Sequence, residues 1–478
     1  MKLFASAAEM RAVPRSEEFR NGGVSLWYRD AGLPERRAAL PGPADYDVCI
    51  VGAGFTGLWA AYYLLKADPS LRVAVLEREF AGFGASGRGG GLVTADFPGS
   101  REQHAREYGK GAMIALQRAL MASVDEILGV VGDEGIDAGA VKGGMRITAT
   151  NPAQKDRLHE RVEHLQEWGY WPEDLHLVEH GHEPWLRVDG QLAAAYTPHA
   201  ARLDPARLAA GLAEAVQRLG ADVYEGTEVT GVRPREGETR PAALTPAGEV
   251  RADVVLRATE GYTGELGASR SEWAAEACAM IATEPLPEQV WEHIGWEGGQ
   301  VLSDAAHSPV FAQRTADGRI ALGGRGAPHR MGAGAAAGAA PPQAIAELWR
   351  VLARMFPAAA EVPVAHAWAG PTGVPADRRP RIGLDTATGL AWAGGYSGSG
   401  VALANLAGRT LRDLVLGDRS DLARLPWASG ADGAAHPLRR LGGKVAHGLY
   451  RGADRRETSR LSTTSRLAAV ASRITGHR

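Results

Sequence analysis

The chain has 478 residues, including 61 Gly and 27 Pro, with 45% hydrophobic residues and a net charge of −3 from 53 Lys+Arg and 56 Asp+Glu. Glycine at about 13% is nearly twice its usual share, yet it follows no Gly-X-Y period and sits beside ample apolar residues, which excludes collagen and a disordered Pro/Gly chain. The balanced charge argues against a nucleic-acid binder that neutralises phosphates, and two cysteines, Cys49 and Cys278, cannot build a disulfide framework or a CxxC pair.

Residues 1–44 read as an N-terminal arm that carries SLWYRD and a Pro-rich hinge, LPERRAALPGP. Its opening MKLFASAAEMR has too short an apolar stretch for a signal-peptide core, and no uninterrupted apolar run approaches 18 residues, so a cytoplasmic protein without a spanning helix is expected. DYDVCIVGAG is an apolar, β-branched run ending in glycine; Phe55, Leu58, Tyr62 and Leu65 then share a helical face, and LRVAVLE follows the turn ADPS. Strand, turn, helix and strand in that order predict a βαβ unit of a parallel sheet. Met113, Leu116, Leu120, Val124 and Ile127 predict an amphipathic helix over 102–130. Strands are expected at 143–150, 278–284 and 308–325, the last with a hairpin at Asp317-Gly318, and helices at 152–168, 204–219, 342–356 and 400–416. The low-complexity MGAGAAAGAA at 331–340 reads as a mobile loop. The tail from Ala434 is rich in arginine, with Leu467, Val470 and Ile474 at helical spacing; a stripe of this kind is expected to pack on its own protein rather than on a membrane.

The strongest local signal is Gly52-x-Gly54-x-x-Gly57, because it follows a predicted strand and opens a predicted helix. Gly52 permits the tight turn, Gly54 lets the backbone approach a pyrophosphate, and Gly57 lets the helix pack on the strand. The pyrophosphate is then met by free N–H groups at the positive end of the helix dipole, with Phe55 and Thr56 in the same turn. Twenty residues on, Glu77 ends the second strand, where its carboxylate can accept ribose hydroxyls and would repel a 2′-phosphate; Arg78 follows it. Gly332-x-Gly334-x-x-x-Gly338 has no strand before it and reads as a linker, which leaves one dinucleotide site.

The segment from Gly82 to Gly91 is a run of small residues that can lie against a large planar ligand, and Ser86 and Arg88 can donate to phosphate. Here the sequence resembles the FAD-dependent D-amino-acid-oxidase superfamily, through Gly84-Ala85-Ser86-Gly87-Arg88 followed by Gly89, Gly90 and Gly91. DVCIVGAGFTGLWAAYYL and GGMRITATNPAQ are similar to the γ-glutamylputrescine oxidase and aminophosphonate oxidoreductase branch. The resemblance extends over about residues 24–417 and implies further FAD contacts at Val229, at Ala258, Thr259 and Gly261, and in the motif GGYSGSGV at Gly395, Gly398, Ser399, Gly400 and Val401. That motif precedes a helix whose dipole can stabilise negative charge on a flavin that accepts a hydride.

The resemblance has departures. Gly89 stands where the branch often has Asn, and Ser399 where relatives often have His; neither residue used elsewhere for covalent attachment is present, so non-covalent FAD is expected. No lysine occurs between Lys155 and Lys444, so the lysine that several of these oxidases hold over the flavin is missing. Arg325 is the candidate replacement as a fixed cation, and Arg314 or Arg325 the candidate clamp for a substrate carboxylate or phosphonate. Arg325, Tyr396 and Ser399 are the candidate catalytic residues.

The expected architecture is α/β: a Rossmann-like FAD domain of the glutathione-reductase type from 45–105, 195–270 and 365–417, and a substrate domain of antiparallel sheet plus helices from 106–194 and 271–364. Residues 418–478 form a basic C-terminal extension. The resemblance implies oxidation of the C–N bond of an amine or amino acid by hydride transfer to flavin, the imine then being hydrolysed, with O2 or an electron-carrier protein as acceptor. An FAD-dependent hydroxylase or other flavoprotein oxidoreductase, and a non-catalytic FAD-binding assembly scaffold, are the competing classes. No metal is expected: His159-Glu160 with His164 has the wrong spacing for a zinc motif, and His176, His180 and His182 lack partners at set spacing. Cys49 should be inert inside its strand, and most of the 12 Trp should be core.

Overall fold

The computed structural model describes residues 14, 18–29, 32–178, 186–266, 273–297, 299–324, 329–330, 338–375, 379–428, 437–459 and 463–475. Strand Val48–Val51 is buried at all four positions, as an inner strand covered on both faces must be. It pairs in parallel with Val73–Leu76 on one side and Val254–Arg257 on the other; Asp222–Tyr224 and Leu390–Gly394 extend the sheet in parallel, and Arg381–Asp385 closes it antiparallel. Helix Phe55–Ala67 leaves this sheet and is buried from Phe55 to Leu65, because helices Gly400–Leu416 and Pro205–Arg218 pack against it. Its apolar residues are therefore not confined to one stripe, as they would be on a surface helix.

A second, ten-stranded sheet is mixed. Its centre is the long antiparallel pair Trp273–Thr283 and Val364–Pro375, next to the hairpin Val310–Arg314 and Ile320–Gly324, then Val301–Asp304, Met145–Ala149 and Ala193–Thr197. Strand periodicity splits its residues between two faces. Ala279, Ile281, Val310, Ala312, Ile320 and Leu322 join a core with helix Pro342–Met355. Met280 and Phe311 point the other way. The hairpin turns at Asp317-Gly318, where Gly318 has φ 77°.

The structure corrects one element. Instead of one helix over 102–130 there are two, Arg101–Tyr108 and Lys110–Asp133, separated by Gly109 at φ 90°. A residue in that conformation ends one helix and cannot continue it, and hydrophobic spacing alone does not register the break. Of 331–340, residues 331–337 lie outside the described residues. Ala340 is held by both its backbone groups on the Asn21 side chain.

The C-terminal extension folds back as helices Pro437–Ser459 and Arg466–Thr475. Asp454 accepts the backbone N–H groups of His307 and Ser308, at 2.8 and 2.9 Å, and buried Glu457 accepts from Arg157 and contacts His307, both at 3.0 Å. His307, Asp454 and Glu457 lie close enough together to be taken for a metal site, but the Arg157 guanidinium engages two of the three, His307 at 2.7 Å and Glu457 at 3.0 Å. Among the described residues no helix is long and apolar enough to cross a membrane.

Candidate active site

Between the two sheets lies a cavity of about 570 Å³, within the usual size of cofactor and ligand sites. At one end it is walled by the turn after Val48–Val51: Gly52, Gly54, Phe55 and Thr56 line it. Gly57 does not, because it faces the strand; a Cβ there would overlap the Gly52 carbonyl oxygen, so glycine is what lets the helix sit this close. Ser86 reaches across to accept the Phe55 N–H at 2.9 Å, tying the second glycine loop to the helix start.

Glu77 lines the same end and accepts N–H groups from Ala53 and Glu79, each at 2.9 Å. Burial pushes its carboxyl above the usual range, and those two N–H groups oppose the shift. Arg78, Val229, Ala258, Thr259 and Gly261 also line the cavity; Arg78 lies over the Tyr262 ring and pairs with Glu265 at 2.7 Å.

Gly84, Ala85, Ser86, Arg88, Gly89, Gly90 and Gly91 form the next stretch of wall. Arg88 is 1% exposed; its Nε donates to the Phe83 carbonyl at 2.9 Å and its guanidinium lies over the Phe83 ring. The side chain is thus held by its own loop while it lines the cavity. Opposite stand Tyr396, Gly398, Ser399, Gly400 and Val401, at the start of helix Gly400–Leu416. Gly395 is not on the wall; it backs the turn, packed against Pro375. The Tyr396 hydroxyl hydrogen-bonds that of Thr56 at 3.1 Å, joining this turn to the first one, and burial pushes the phenol pKa up, so it stays neutral.

Glu260 was not anticipated. It lines the cavity, has φ 40°, and accepts N–H groups from Gly395 (2.8 Å), Tyr396 (3.2 Å) and Gly373 (3.3 Å). Burial pushes its carboxyl up to about 7 against those three donors. Nothing in an acid after Ala-Thr marks such a role from sequence.

The far end of the cavity is walled by the large sheet, with Met145, Cys278, Met280, Ser303, Pro309 and Phe311. Sequence alone placed none of them in a site, because CAMIATE and SPVFAQR mark strands but not which of their two faces lines a cavity. Asp96, paired with Arg161 at 3.2 Å, adds a carboxylate. Arg314 is not on this wall: it is one register off Phe311 and Gln313, lies over the Trp291 ring and donates to the Trp296 carbonyl at 2.7 Å. The substrate clamp suggested for it is therefore withdrawn. Arg325 lies outside the described residues, as do His180 and His182. His176 is exposed, with its ring on the Pro172 carbonyl. Cys49 is fully buried, with its thiol pKa pushed up to about 12 by burial.

Comparison with known proteins gives a consistent result. The family described as FAD dependent oxidoreductase (DAO) matches residues 47–414. The chain is 29% identical over 377 residues to gamma-glutamylputrescine oxidoreductase of Escherichia coli, covering 78% of this chain and 84% of that protein. It is 27% identical over 410 residues to a probable oxidoreductase OrdL of Rhizobium meliloti, covering 83% and 89%. Among solved structures, glycine oxidase from Geobacillus kaustophilus superposes with a TM-score of 0.62 at 24% identity, over 81% of this chain and all of that one. L-proline dehydrogenase from P. horikoshii gives 0.65 at 19%, over 80% and 96%.

Proposed function

The chain belongs to the DAO family of FAD dependent oxidoreductases, and from that premise we propose that it oxidises the C–N bond of an amine or amino acid. The observation that carries this reading is the single cavity that runs from Glu77 and the Gly52–Thr56 turn to an apolar wall of Met145, Met280 and Phe311. One end has the acid and glycine turns that suit a dinucleotide; the other has a dry surface that suits a small substrate. The names of relatives such as gamma-glutamylputrescine oxidoreductase and glycine oxidase support an amine or amino acid as the substrate class.

The residues present fit FAD, held without a covalent bond. Glu77 offers a carboxylate to ribose hydroxyls, and the glycines at 52, 54 and 89–91 keep Cβ atoms off the cavity wall. Bound FAD supplies the acceptor for the hydride lost from the substrate's α-carbon, and the resulting imine hydrolyses to a carbonyl compound. The chain's own part is positional. Backbone N–H groups at the start of helix Gly400–Leu416 present the positive end of its dipole to the cavity, which favours negative charge there. Tyr396 and Thr56 lock the two turns together, and burial keeps the Tyr396 phenol neutral. The apolar wall excludes water and favours the neutral amine over ammonium, as hydride loss requires. Ser399 borders this region, with O2 or an electron-carrier protein as the final acceptor.

The test is product analysis. Purified protein incubated with a panel of primary and secondary amines and amino acids should convert at least one to a carbonyl compound in a 1:1 ratio with the amine consumed, as read by hydrazine trapping. Comparing air with an artificial electron carrier identifies the acceptor class. Hydroxylated product, or no turnover with any amine, contradicts the proposal.

A further inference from the structure

The SLWYRD motif of the N-terminal arm has no part in the function so far, yet the structure sets it against the flavin loop. Arg20–Asn21 pairs in parallel with His366 and Ala367 of strand Val364–Pro375. The Gly22 N–H donates to the Ala367 carbonyl at 2.9 Å, and a ring nitrogen of His366 meets the Gly22 carbonyl at 2.7 Å. The chain then turns sharply at Val24, a β-branched residue held at φ 75°, where such a side chain is a true outlier. The turn delivers the short helix Leu26–Tyr28 to the outside of the 82–91 loop.

Four successive carbonyls of that loop, Gly87 to Gly90, each accept a hydrogen bond from a side chain outside it, that of Gly90 from Gln313 at 2.5 Å. Fully buried Ser25 donates its hydroxyl to Gly87 at 2.7 Å. The Trp368 indole N–H donates to Arg88 at 2.8 Å, and the Trp27 indole N–H to Gly89 at 2.8 Å. The two indoles pack edge to face with centroids 6.2 Å apart. The Tyr28 hydroxyl fills the space that a Cβ on Gly87 would need, and lies 3.2 Å from where one on Gly82 would be. These two glycines therefore make room for the arm, while Arg88 to Gly91 on the loop's other side line the cavity.

We propose that Ser25 and Trp27 are positioning residues of the FAD site: the arm is an outer brace that fixes the carbonyls of residues 87 and 89 and so holds the cavity-lining edge of the loop in place. The inference rests on FAD as the cofactor. A buried carbonyl deprived of its donor rearranges to find another, and a loop that moves to do so no longer matches the ligand it was shaped for.

The test compares S25A and W27F with wild type, with S25T to restore the hydroxyl and W171F, an exposed tryptophan elsewhere, as control. Apo-protein is titrated with FAD, and Tm is measured with and without it. S25A and W27F should each weaken FAD binding about tenfold, the size of effect that loss of one buried hydrogen bond produces. Their apo Tm should stay near wild type while the rise in Tm on adding FAD shrinks, since ligand stabilisation follows affinity. S25T should recover binding and W171F should match wild type. Wild-type affinity in both variants, or apo and holo Tm falling by the same amount, overturns the brace. Absence of saturable FAD binding by the wild-type chain itself overturns the cofactor site together with the brace.

Discussion

Glu260 sits in a left-handed conformation that glutamate enters only at a cost, and its carboxylate gathers N–H groups from two other chain segments. Its carboxylate in turn adds to the upward shift of the Tyr396 phenol on the facing turn. Because burial raises the Glu260 carboxyl from 4.5 to about 7, the folded apo-protein binds more protons than the unfolded chain between those values. Stability from this group must therefore fall as pH rises through that window. Chemical denaturation of apo-protein at pH 5, 6 and 7 should show this slope, and E260Q should flatten it. At Gly57 the outcome is simpler. G57V places a side chain against the Gly52 carbonyl, so it should lose FAD from the purified protein and cost about 1–3 kcal/mol of apo stability in denaturant titration. Gly57 and Glu77 were legible because a fixed spacing from a strand end defines their work. Glu260 was not, because its role depends on partners more than 100 residues away in the chain.

At the scale of elements, most of the chain declared itself through periodicity. Helices at 152–167, 205–218, 342–355 and 400–416 lie within a residue of the patterns that predict them. The exception at Gly109 shows the limit: a conformation, not a hydrophobic face, divides that segment. The apolar wall of the cavity was missed for a different reason. Alternation shows that a strand has two faces, but the sequence does not say which of them meets the cavity and which meets helix Pro342–Met355. The C-terminal helix is tied at the element scale by acids rather than apolar contacts alone. Burial raises the Glu457 carboxyl, but His307, the Ser465 N–H and Arg157 outweigh that and hold it at about 2. Its contribution is thus present above pH 4.5 and lost as pH falls toward 2. E457Q should destabilise the protein by about 3 kcal/mol at neutral pH, because it leaves the half-buried Arg157 guanidinium without its charge partner. The gap between thermal melts of variant and wild type should be smaller at pH 3 than at pH 7.

Across the whole molecule, the glycine excess divides by position. Some glycines line the cavity between the parallel sheet and the ten-stranded sheet; others, such as Gly57, Gly82 and Gly87, admit a helix or the N-terminal arm. The two sheets contribute different chemistry to one cavity, polar and glycine-rich at one end and apolar at the other, and the arm and C-terminal helices pack around its outer supports. The central claim is that this cavity brings FAD and an amine together. The most direct measurement is an anaerobic visible-absorption titration of the purified holoprotein with amines and amino acids. The oxidised flavin spectrum should bleach on addition of at least one of them and return when an electron acceptor is admitted. A yellow protein that dithionite reduces but no amine or amino acid bleaches would contradict that claim.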